Sequence, residues 1–341
     1  MSPDLLRLAL QDQARELGFE QFAVAPAIES AGYSDLLRWI DAGYAAEMDY
    51  FRNRQNAYRH PDSVLAGVRS IIVLTLPYAA AKESPLDAHE GRIARYVWGH
   101  TDYHDVIHPK LKKLCRAICE SDTDAAARGV VDTAPLMERE IAQLAGLGWR
   151  GKNTLLLNKH HGSYFFLACV LTNLDLPIDS PHSSSHCGTC TACLDACPTD
   201  AFPQAGVLDA NRCISYLTIE HRESIPVELR DGIGDWLFGC DVCQQVCPWN
   251  RRPSRFAERP STPLDRLSLC ELFELSDDGF RQRFRKTPLW RARRRGILRN
   301  AAIVLGNSGD QQSRAALQRG CRDEEALIRE ACEWALKKLD S

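Results

Sequence analysis

The first 175 residues alternate amphipathic stretches with short apolar runs. Helical spacing of the apolar positions predicts an opening helix and further helices over 33–42, 108–119 and 135–145. The apolar runs are four to eight residues long and rich in Val, Ile, Leu and Phe, as buried strands are. They predict strands over 22–25, 71–76, 129–132, 154–157 and 164–171. This alternation predicts a layered α/β domain over residues 1–175, with a sheet that carries helices on its faces.

The rest of the chain consists of two segments that differ in their pattern of apolar and polar residues. Residues 176–255 open with LPIDSPHSSSH and show little periodicity, so we expect bound ligands rather than a large core to organise them. Residues 256–341 have helical spacing, and ILRNAAIVLGN matches ALIREACEWAL at an offset of 30 residues, with Arg299 aligned to Arg329. This match predicts an α-helical, HEAT-like repeat tail that packs against the rest.

Fourteen of the 341 residues are cysteine. Disulfide frameworks of that density belong to short secreted chains, whereas this chain is long. The opening MSPDLLRLALQDQARELGF has the acids and polar residues of an amphipathic helix rather than a secretory signal. No apolar run approaches the ~18–20 residues that span a bilayer. We therefore expect a cytoplasmic protein without membrane contact, whose cysteines are reduced thiols or metal ligands.

One cysteine run has the spacing of a bacterial ferredoxin. Cys187, Cys190, Cys193 and Cys197 fit C-x2-C-x2-C-x3-C-P, in which three thiolates bind one cubane and the fourth binds the other. Zinc satisfies some C-x2-C pairs, but a closed zinc site takes four ligands at a different spacing. The run therefore predicts [4Fe-4S] clusters, with structural zinc as the minor alternative.

A second run repeats the motif with one cysteine missing. It contains Cys240, Cys243 and Cys247, followed by Pro248. Cys213 is the natural replacement, although a cysteine there also fits a small buried side chain. A swapped arrangement then uses all eight thiolates: Cys187, Cys190, Cys193 and Cys247 for one cluster, and Cys197, Cys213, Cys240 and Cys243 for the other. Residues 176–255 are thus predicted to form a ferredoxin-like α+β domain with two [4Fe-4S] clusters.

A pure electron carrier would not need the α/β domain of residues 1–175 ahead of its clusters. We therefore expect a group in that first domain to receive the electrons. No G-x-G-x-x-G follows a predicted strand, and no G-x-x-x-x-G-K-[ST] P-loop motif occurs. Asp132 closes an apolar strand in VVDTAP, where ligand sites form, and a carboxylate there can donate a proton when burial raises its pKa. On the residues alone an N-cap role for the following helix is the favoured interpretation. For His104, in DYH, a structural role is likewise favoured.

Six segments together resemble the epoxyqueuosine reductases: VDTAP, GLGWRGKNTLLLN, GSYFFL, CGTCTACLDACPT, RCISYLTIE and GCDVCQQVCPWN. The resemblance is strong over residues 1–255 and extends through the tail. It implies a cobalamin-dependent iron–sulfur enzyme, related to reductive dehalogenases, that reduces epoxyqueuosine to queuosine at the wobble position of tRNA anticodons, the last step of queuosine biosynthesis. One departure is that the family's G-x-D-Y-H stretch is one residue longer here, from Gly99 to His104.

The resemblance also implies residue roles. It makes Asp132 the proton donor, which reverses the favoured N-cap interpretation. It places cobalamin in the first domain and implies that the cofactor is contacted by Arg59, Ala94, Arg95, Asp132, Lys152, Asn153, Leu156, Ser215 and Asp241. Epoxide removal needs two electrons and two protons, and cobalt holds two electrons whereas clusters deliver them singly.

Charge supports an RNA partner independently. Residues 280–299 hold nine Lys and Arg and no acid, in a chain whose net charge is −3. Such a block predicts phosphate contacts, although a solvated helix face is the usual explanation of a charge run. Phe280, Phe284 and Trp290 within it either stack on bases or pack inward. The residues predicted to bind tRNA are Arg281, Arg283, Arg285, Lys286, Arg291, Arg293, Arg294 and Arg295.

Three other functions compete with this hypothesis. They are a cobalamin-dependent dehalogenase of small molecules, a ferredoxin-type electron-transfer module, and an RNA-binding protein with structural zinc. The basic block argues against the first and the large α/β domain against the second. We expect a monomer, served by an external electron donor that the sequence does not identify.

Overall fold

The computed structural model describes residues 2–78, 85–99, 101–251 and 264–340. Its N-terminal half alternates helices and strands much as the pattern predicts. In chain order these are α1 (Pro3–Glu16), β1 (Gln21–Pro26), α2 (Tyr33–Asp41), α3 (Asp49–Asn53), β2 (Ser70–Pro77), β3 (Glu90–Ile93), α4 (Tyr103–Ser121), β4 (Ala127–Val130), α5 (Glu138–Leu144), β5 (Trp149–Arg150), β6 (Leu156–Leu157) and β7 (Phe165–Thr172).

The main sheet has the strand order β1-β2-β7-β4, and both of its faces are covered. Alternate residues of β2 point to opposite faces: Ile72 and Leu74 pack with α1 and α4, and Ile71 and Val73 pack with α5. The predicted layers are therefore confirmed. All three strand pairings within this sheet are antiparallel, however, whereas the α/β class is defined by parallel strands.

Helix α4 begins five residues before its predicted start. Asp102 is the N-cap, because its side chain accepts the backbone N–H of His104. The sequence favours a start beside Pro109, since proline suits a first helical turn, but Pro109 lies inside the helix. The earlier start places Tyr103 and His104 in the first turn. His100 of the lengthened motif lies outside the described residues.

The C-terminal half is mostly short helices. In chain order its elements are α6 (Ala192–Asp195), α7 (Ile214–Ile219), α8 (Val227–Ile233), β8 (Trp236–Phe238), α9 (Val242–Gln245), β9 (Arg266–Ser268), α10 (Leu269–Leu272), α11 (Asp277–Phe284), α12 (Arg293–Ser308), α13 (Arg314–Gly320) and α14 (Ala326–Leu339). Strand β3 pairs with β8 on one side and β9 on the other, so this small sheet joins all three predicted segments.

The largest apolar core also joins the three segments. It contains Ile93 and Trp98 from the first, Leu217 and Phe238 from the second, and most of α12 from the third. The expectation that ligands alone organise residues 176–255 is therefore wrong, because α7 and β8 pack directly on α12. The boundary predicted at 255/256 falls outside the described residues, and the predicted domain limits stay a prediction.

The tail is helical, as predicted. The two matching segments lie on α12 and α14, which pack against each other so closely that a Cβ on Gly306 would lie 3.0 Å from the Ala335 Cα. Arg299 donates to the carbonyls of Leu217, His221 and Glu223, and Arg329 donates to those of Asp323 and Glu324. A HEAT-like repeat stays a prediction. Within the described ranges, no helix is both long and apolar enough to cross a bilayer.

Candidate active site

Asp132 lies two residues beyond β4, on the turn that leads to α5. Its φ is +39°, and the backbone N–H of Thr133 donates to the carbonyl of Val131, which closes a tight turn around it. A non-glycine residue in this region of φ costs about 1–3 kcal/mol and persists only where its surroundings enforce it. The turn leaves the Asp132 side chain 46% exposed. Asp132 is therefore not the N-cap of α5, a position that Met137 takes.

Two side chains from the first turn of α4 hold the Asp132 carboxylate. The Tyr103 hydroxyl donates to Oδ2, and Nε2 of His104 lies 2.8 Å from Oδ1. Nδ1 of His104 lies 2.8 Å from Oδ1 of Asp102. The imidazole thus bridges two carboxylates, which is the contact pattern of an imidazolium.

Arg291 completes this group from the other end of the chain. Its Nη2 lies 3.3 Å from both Asp102 carboxylate oxygens and 2.9 Å from Nδ1 of His104, and its guanidinium lies over the Tyr103 ring at 5.0 Å. The basic run predicts an RNA contact for Arg291. The structure instead places it, half-buried, among the residues that hold Asp132.

The pairing moves the pKa values of His104 and Asp132 in opposite directions. Burial alone would lower the pKa of His104, but hydrogen bonds to Asp102 and Asp132 raise it to about 9. Burial would raise the pKa of Asp132, but hydrogen bonds from His104 and Tyr103 hold it below its usual value. The two shifts therefore favour a carboxylate beside an imidazolium at neutral pH.

Glu138 lies behind the turn, at the start of α5. Its carboxylate accepts the backbone N–H of Asp132, and burial, with the nearby Asp132 charge, raises the pKa of Glu138 to about 8. Arg54 lies on the other side, where its Nη1 is 3.4 Å from the Thr133 carbonyl oxygen. Both residues hold the backbone of the turn rather than the Asp132 carboxylate.

The cysteines predicted for the first cluster surround one cavity of about 170 Å³. Three come from the first run and Cys247 from the second, in the swapped arrangement expected from the spacing. The cavity is lined by Lys152, Asn153, Leu157, His186, Cys187, Cys190, Ala192, Cys193, Cys247, Pro248 and Trp249. The indole N–H of Trp149 donates to Sγ of Cys187 over 3.4 Å, a contact that stabilises a thiolate.

The four thiols predicted for the second cluster also lie together. Burial raises the pKa of Cys243, and the neighbouring Cys213, Asp241, Cys193 and Cys197 raise it further. Cys240 shows the same shift, from burial and then from Cys213 and Cys243. Backbone N–H groups of Ser215 and Tyr216 point at the Cys213 sulfur. Cys213 is therefore not merely a small buried side chain, because it sits within the thiol group that the spacing predicts.

Most of the residues expected to contact cobalamin lie beside these thiols. The Arg95 backbone N–H donates to Asp241 over 2.7 Å, and Nδ2 of Asn153 lies 3.3 Å from the Cys243 carbonyl oxygen. The Ala94 backbone N–H donates to the Phe238 carbonyl. Ala94 also lies close to Gly239, because a Cβ added to Gly239 would lie 2.5 Å from the Ala94 Cβ. Lys152 donates to the carbonyls of Gly188 and Cys190 at the first thiol group.

Two of the residues expected to contact cobalamin lie apart from the others. Arg59 pairs with Glu29 on the surface, at 2.7 Å, and the Leu156 side chain is buried in the core under the main sheet. The structure supplies Tyr96 instead, which sequence reasoning missed. Its ring lies 6.0 Å from that of Tyr103 and 6.4 Å from that of Phe238, so it connects the Asp132 site with the strand that precedes Cys240.

Comparison with known proteins identifies the family. A family model described as "Epoxyqueuosine reductase QueG, DUF1730" matches residues 59–133, and one described as "4Fe-4S double cluster binding domain" matches residues 186–250. A Pseudomonas aeruginosa epoxyqueuosine reductase is 42% identical over 351 residues, covering 98% of this chain and 96% of its own length. The chain belongs to the epoxyqueuosine reductase family. Another relative, from Escherichia coli, is 36% identical over 342 residues, covering 98% of this chain and 90% of its own.

Solved epoxyqueuosine reductases share the fold. A crystal structure of one with an epoxyqueuosine-modified tRNA-Tyr stem loop superposes with a TM-score of 0.91 at 31% identity, covering 99% of this chain and 91% of that one. The Bacillus subtilis enzyme, with its catalytic aspartate loop swung out of the active site, gives 0.88 at 29% identity, covering 98% and 90%. The family membership confirms the expected oxidoreductase and its iron–sulfur clusters, and supports none of the three competing functions.

Proposed function

We propose that this chain reduces epoxyqueuosine in the anticodon of tRNA to queuosine, with cobalamin reduced through its two [4Fe-4S] clusters. One observation carries the proposal: a carboxylate held for proton transfer and two groups of four cysteines lie in one molecule, connected through Tyr96. Removal of the epoxide oxygen needs protons at that oxygen and electrons delivered to the same place. The chain offers both.

The residues beside the second thiol group fit cobalamin. They provide the Asn153 amide, the Ser215 hydroxyl and backbone groups, together with the charged Arg95 and Asp241, and these groups suit the amides on the rim of a corrin. Ala94, Arg95, Asn153, Ser215 and Asp241 would hold the cofactor. When bound, its cobalt would supply a centre that stores two electrons, whereas each cluster passes one at a time. Arg59 and Leu156 contribute least to this fit, because neither lies with the others.

Asp132 supplies the acid function in this proposal. Protonation of the departing oxygen avoids an unstabilised alkoxide, and a positioned acid contributes about 10²–10⁴-fold. The turn that fixes Asp132 at positive φ presents its carboxylate to the open side of the site, while Tyr103 and His104 orient it. A catalytic aspartate on a movable loop in the Bacillus subtilis relative supports this assignment.

The tRNA is expected to approach along the basic tail segment. Five of the predicted contacts are exposed, namely Arg281, Arg283, Arg285, Lys286 and Arg293. Arg294 pairs with Asp323 at 2.7 Å and Arg295 donates to the Arg222 carbonyl, so these two are occupied within the chain. Phe280 and Phe284 pack inward. The Lys286 carbonyl accepts the Asp102 backbone N–H, which places the basic segment next to the Asp132 site.

The test is an assay of epoxyqueuosine-containing tRNA under reducing, anaerobic conditions, with and without added cobalamin. We expect queuosine only when cobalamin is present, together with corrin absorbance that copurifies with the reconstituted protein. A protein that leaves this tRNA unchanged but dehalogenates small aromatic substrates would contradict the proposal. We place the reaction in the cytosol, with a monomer served by an external one-electron donor.

A further inference from the structure

The proposed reaction moves two protons to one oxygen, and Asp132 is the carboxylate that the described residues present to that position. This inference rests on the proposed function. Asp132 is held as a carboxylate by two hydrogen bonds, so at rest it has no proton to give. A neighbouring group must therefore hold the proton that Asp132 delivers.

Three titratable groups contact Asp132. The Tyr103 hydroxyl donates to Oδ2, but burial and the Asp132 charge raise the pKa of Tyr103, so it keeps its proton. Glu138 interacts with the Asp132 backbone N–H, and no side-chain hydrogen bond joins it to the Asp132 carboxylate in the described part of the chain. Of the three, it is His104 that lies in line with a carboxylate oxygen, 2.8 Å from Nε2 to Oδ1, with a second carboxylate on its other nitrogen.

We propose that His104 is a positioning residue that stores the proton delivered by Asp132. Between the two protonation steps, His104 takes up a new proton from water. His104 passes the Nε2 proton to Oδ1 of Asp132, and Asp132 passes it to the epoxide oxygen as the first C–O bond breaks. A second passage along the same route protonates the resulting hydroxyl as the second C–O bond breaks, and the oxygen leaves as water. The external one-electron donor supplies the two electrons through the clusters, so epoxide, two electrons and two protons become alkene and water.

The surroundings of His104 support storage of a proton. Asp102 and Asp132 face its two nitrogens, Arg291 lies 2.9 Å from Nδ1, Tyr103 stacks on its ring at 4.2 Å, and His108 lies at 5.8 Å on the next turn. The two carboxylates outweigh the single guanidinium, and the pKa of His104 rises to about 9. The ring side chain is 18% exposed, so water reaches it.

The test compares wild type with His104→Gln, which keeps a donor for Asp132 but carries no exchangeable charge, and with His108→Gln as a matched control. In single turnover we expect the wild-type rate to fall as pH rises through about 9. We expect His104→Gln to be slower by roughly 10²-fold, to lack this alkaline decline, and to retain iron and tRNA affinity. His108→Gln should match wild type, and imidazole should rescue His104→Ala.

A histidine-labelled NMR titration of the holoprotein gives a readout without turnover. We expect the His104 signal, identified by its loss in His104→Gln, to stay that of an imidazolium at pH 8. A neutral His104 at pH 7, or a slowed variant that keeps the wild-type pH profile, would overturn the inference. If wild type fails to act on epoxyqueuosine-containing tRNA, the proposed function fails, and the titration still decides whether His104 holds the proton.

Discussion

Asp132 has two properties that a single substitution can separate: its backbone conformation and its charge. Asn tolerates positive φ as well as Asp does, so Asp132→Asn should preserve the turn. Because an amide donates no acidic proton, we expect turnover to fall about 10²–10⁴-fold, with normal iron content, cobalamin binding and tRNA affinity. Asp105→Asn, exposed on α4, is the control and should match wild type. Near-normal turnover of Asp132→Asn would remove Asp132 from the acid role.

At the residue scale, the sequence predicted the groups that bind or react but not the groups that hold them. Ligand spacing predicted all eight cluster cysteines, because two cubanes impose a strict local pattern on the chain. The partners of Asp132 obey no such pattern. His104 lies 28 residues away and Arg291 lies much further along the chain, where its basic neighbours indicated RNA. Only the folded chain brings them together.

At the element scale, the basic run separates into exposed arginines in and just after α11 and two arginines of α12, Arg294 and Arg295, that are occupied within the chain. Arg281, Arg283 and Arg285 are exposed, whereas Arg294 is mostly buried against Asp323. Neutralising these three exposed arginines, Arg281, Arg283 and Arg285, with glutamine should weaken tRNA binding. It should also lower the slope of log affinity against log salt by about 0.7–0.9 for each lost phosphate contact.

Arg294→Gln is the matched comparison for this prediction. It removes one charge from the same run, but its main expected effect is a lower melting temperature, because it leaves Asp323 without its partner. Fluorescence anisotropy with a labelled anticodon stem loop over a range of salt measures the binding of both proteins. An unchanged salt slope in the triple arginine variant would show that the tRNA lies elsewhere.

For the whole molecule, hydrophobic periodicity located the strands of the main sheet within a few residues and predicted the helical tail. It did not predict strand direction, because β2 and β7 are buried on both faces and such strands look alike in parallel and antiparallel sheets. It also missed the shared core. The apolar residues of α7 and β8 are few when counted within residues 176–255, and they form a core only by packing on α12.

That shared core predicts the effect of removing the tail. A chain ending at residue 255 lacks α12 and β9, so Leu217 and Phe238 lose their packing partners beside Cys213 and Cys240. It also lacks Arg291, which holds Asp102 and His104. We expect this fragment to be poorly soluble and low in iron, because the second thiol group loses the scaffold that holds it. Coexpression of residues 256–341 should restore a soluble complex with a full iron complement and a single cooperative melt. If residues 1–255 alone melt cooperatively with full iron, the cluster segment does not depend on the tail for its fold.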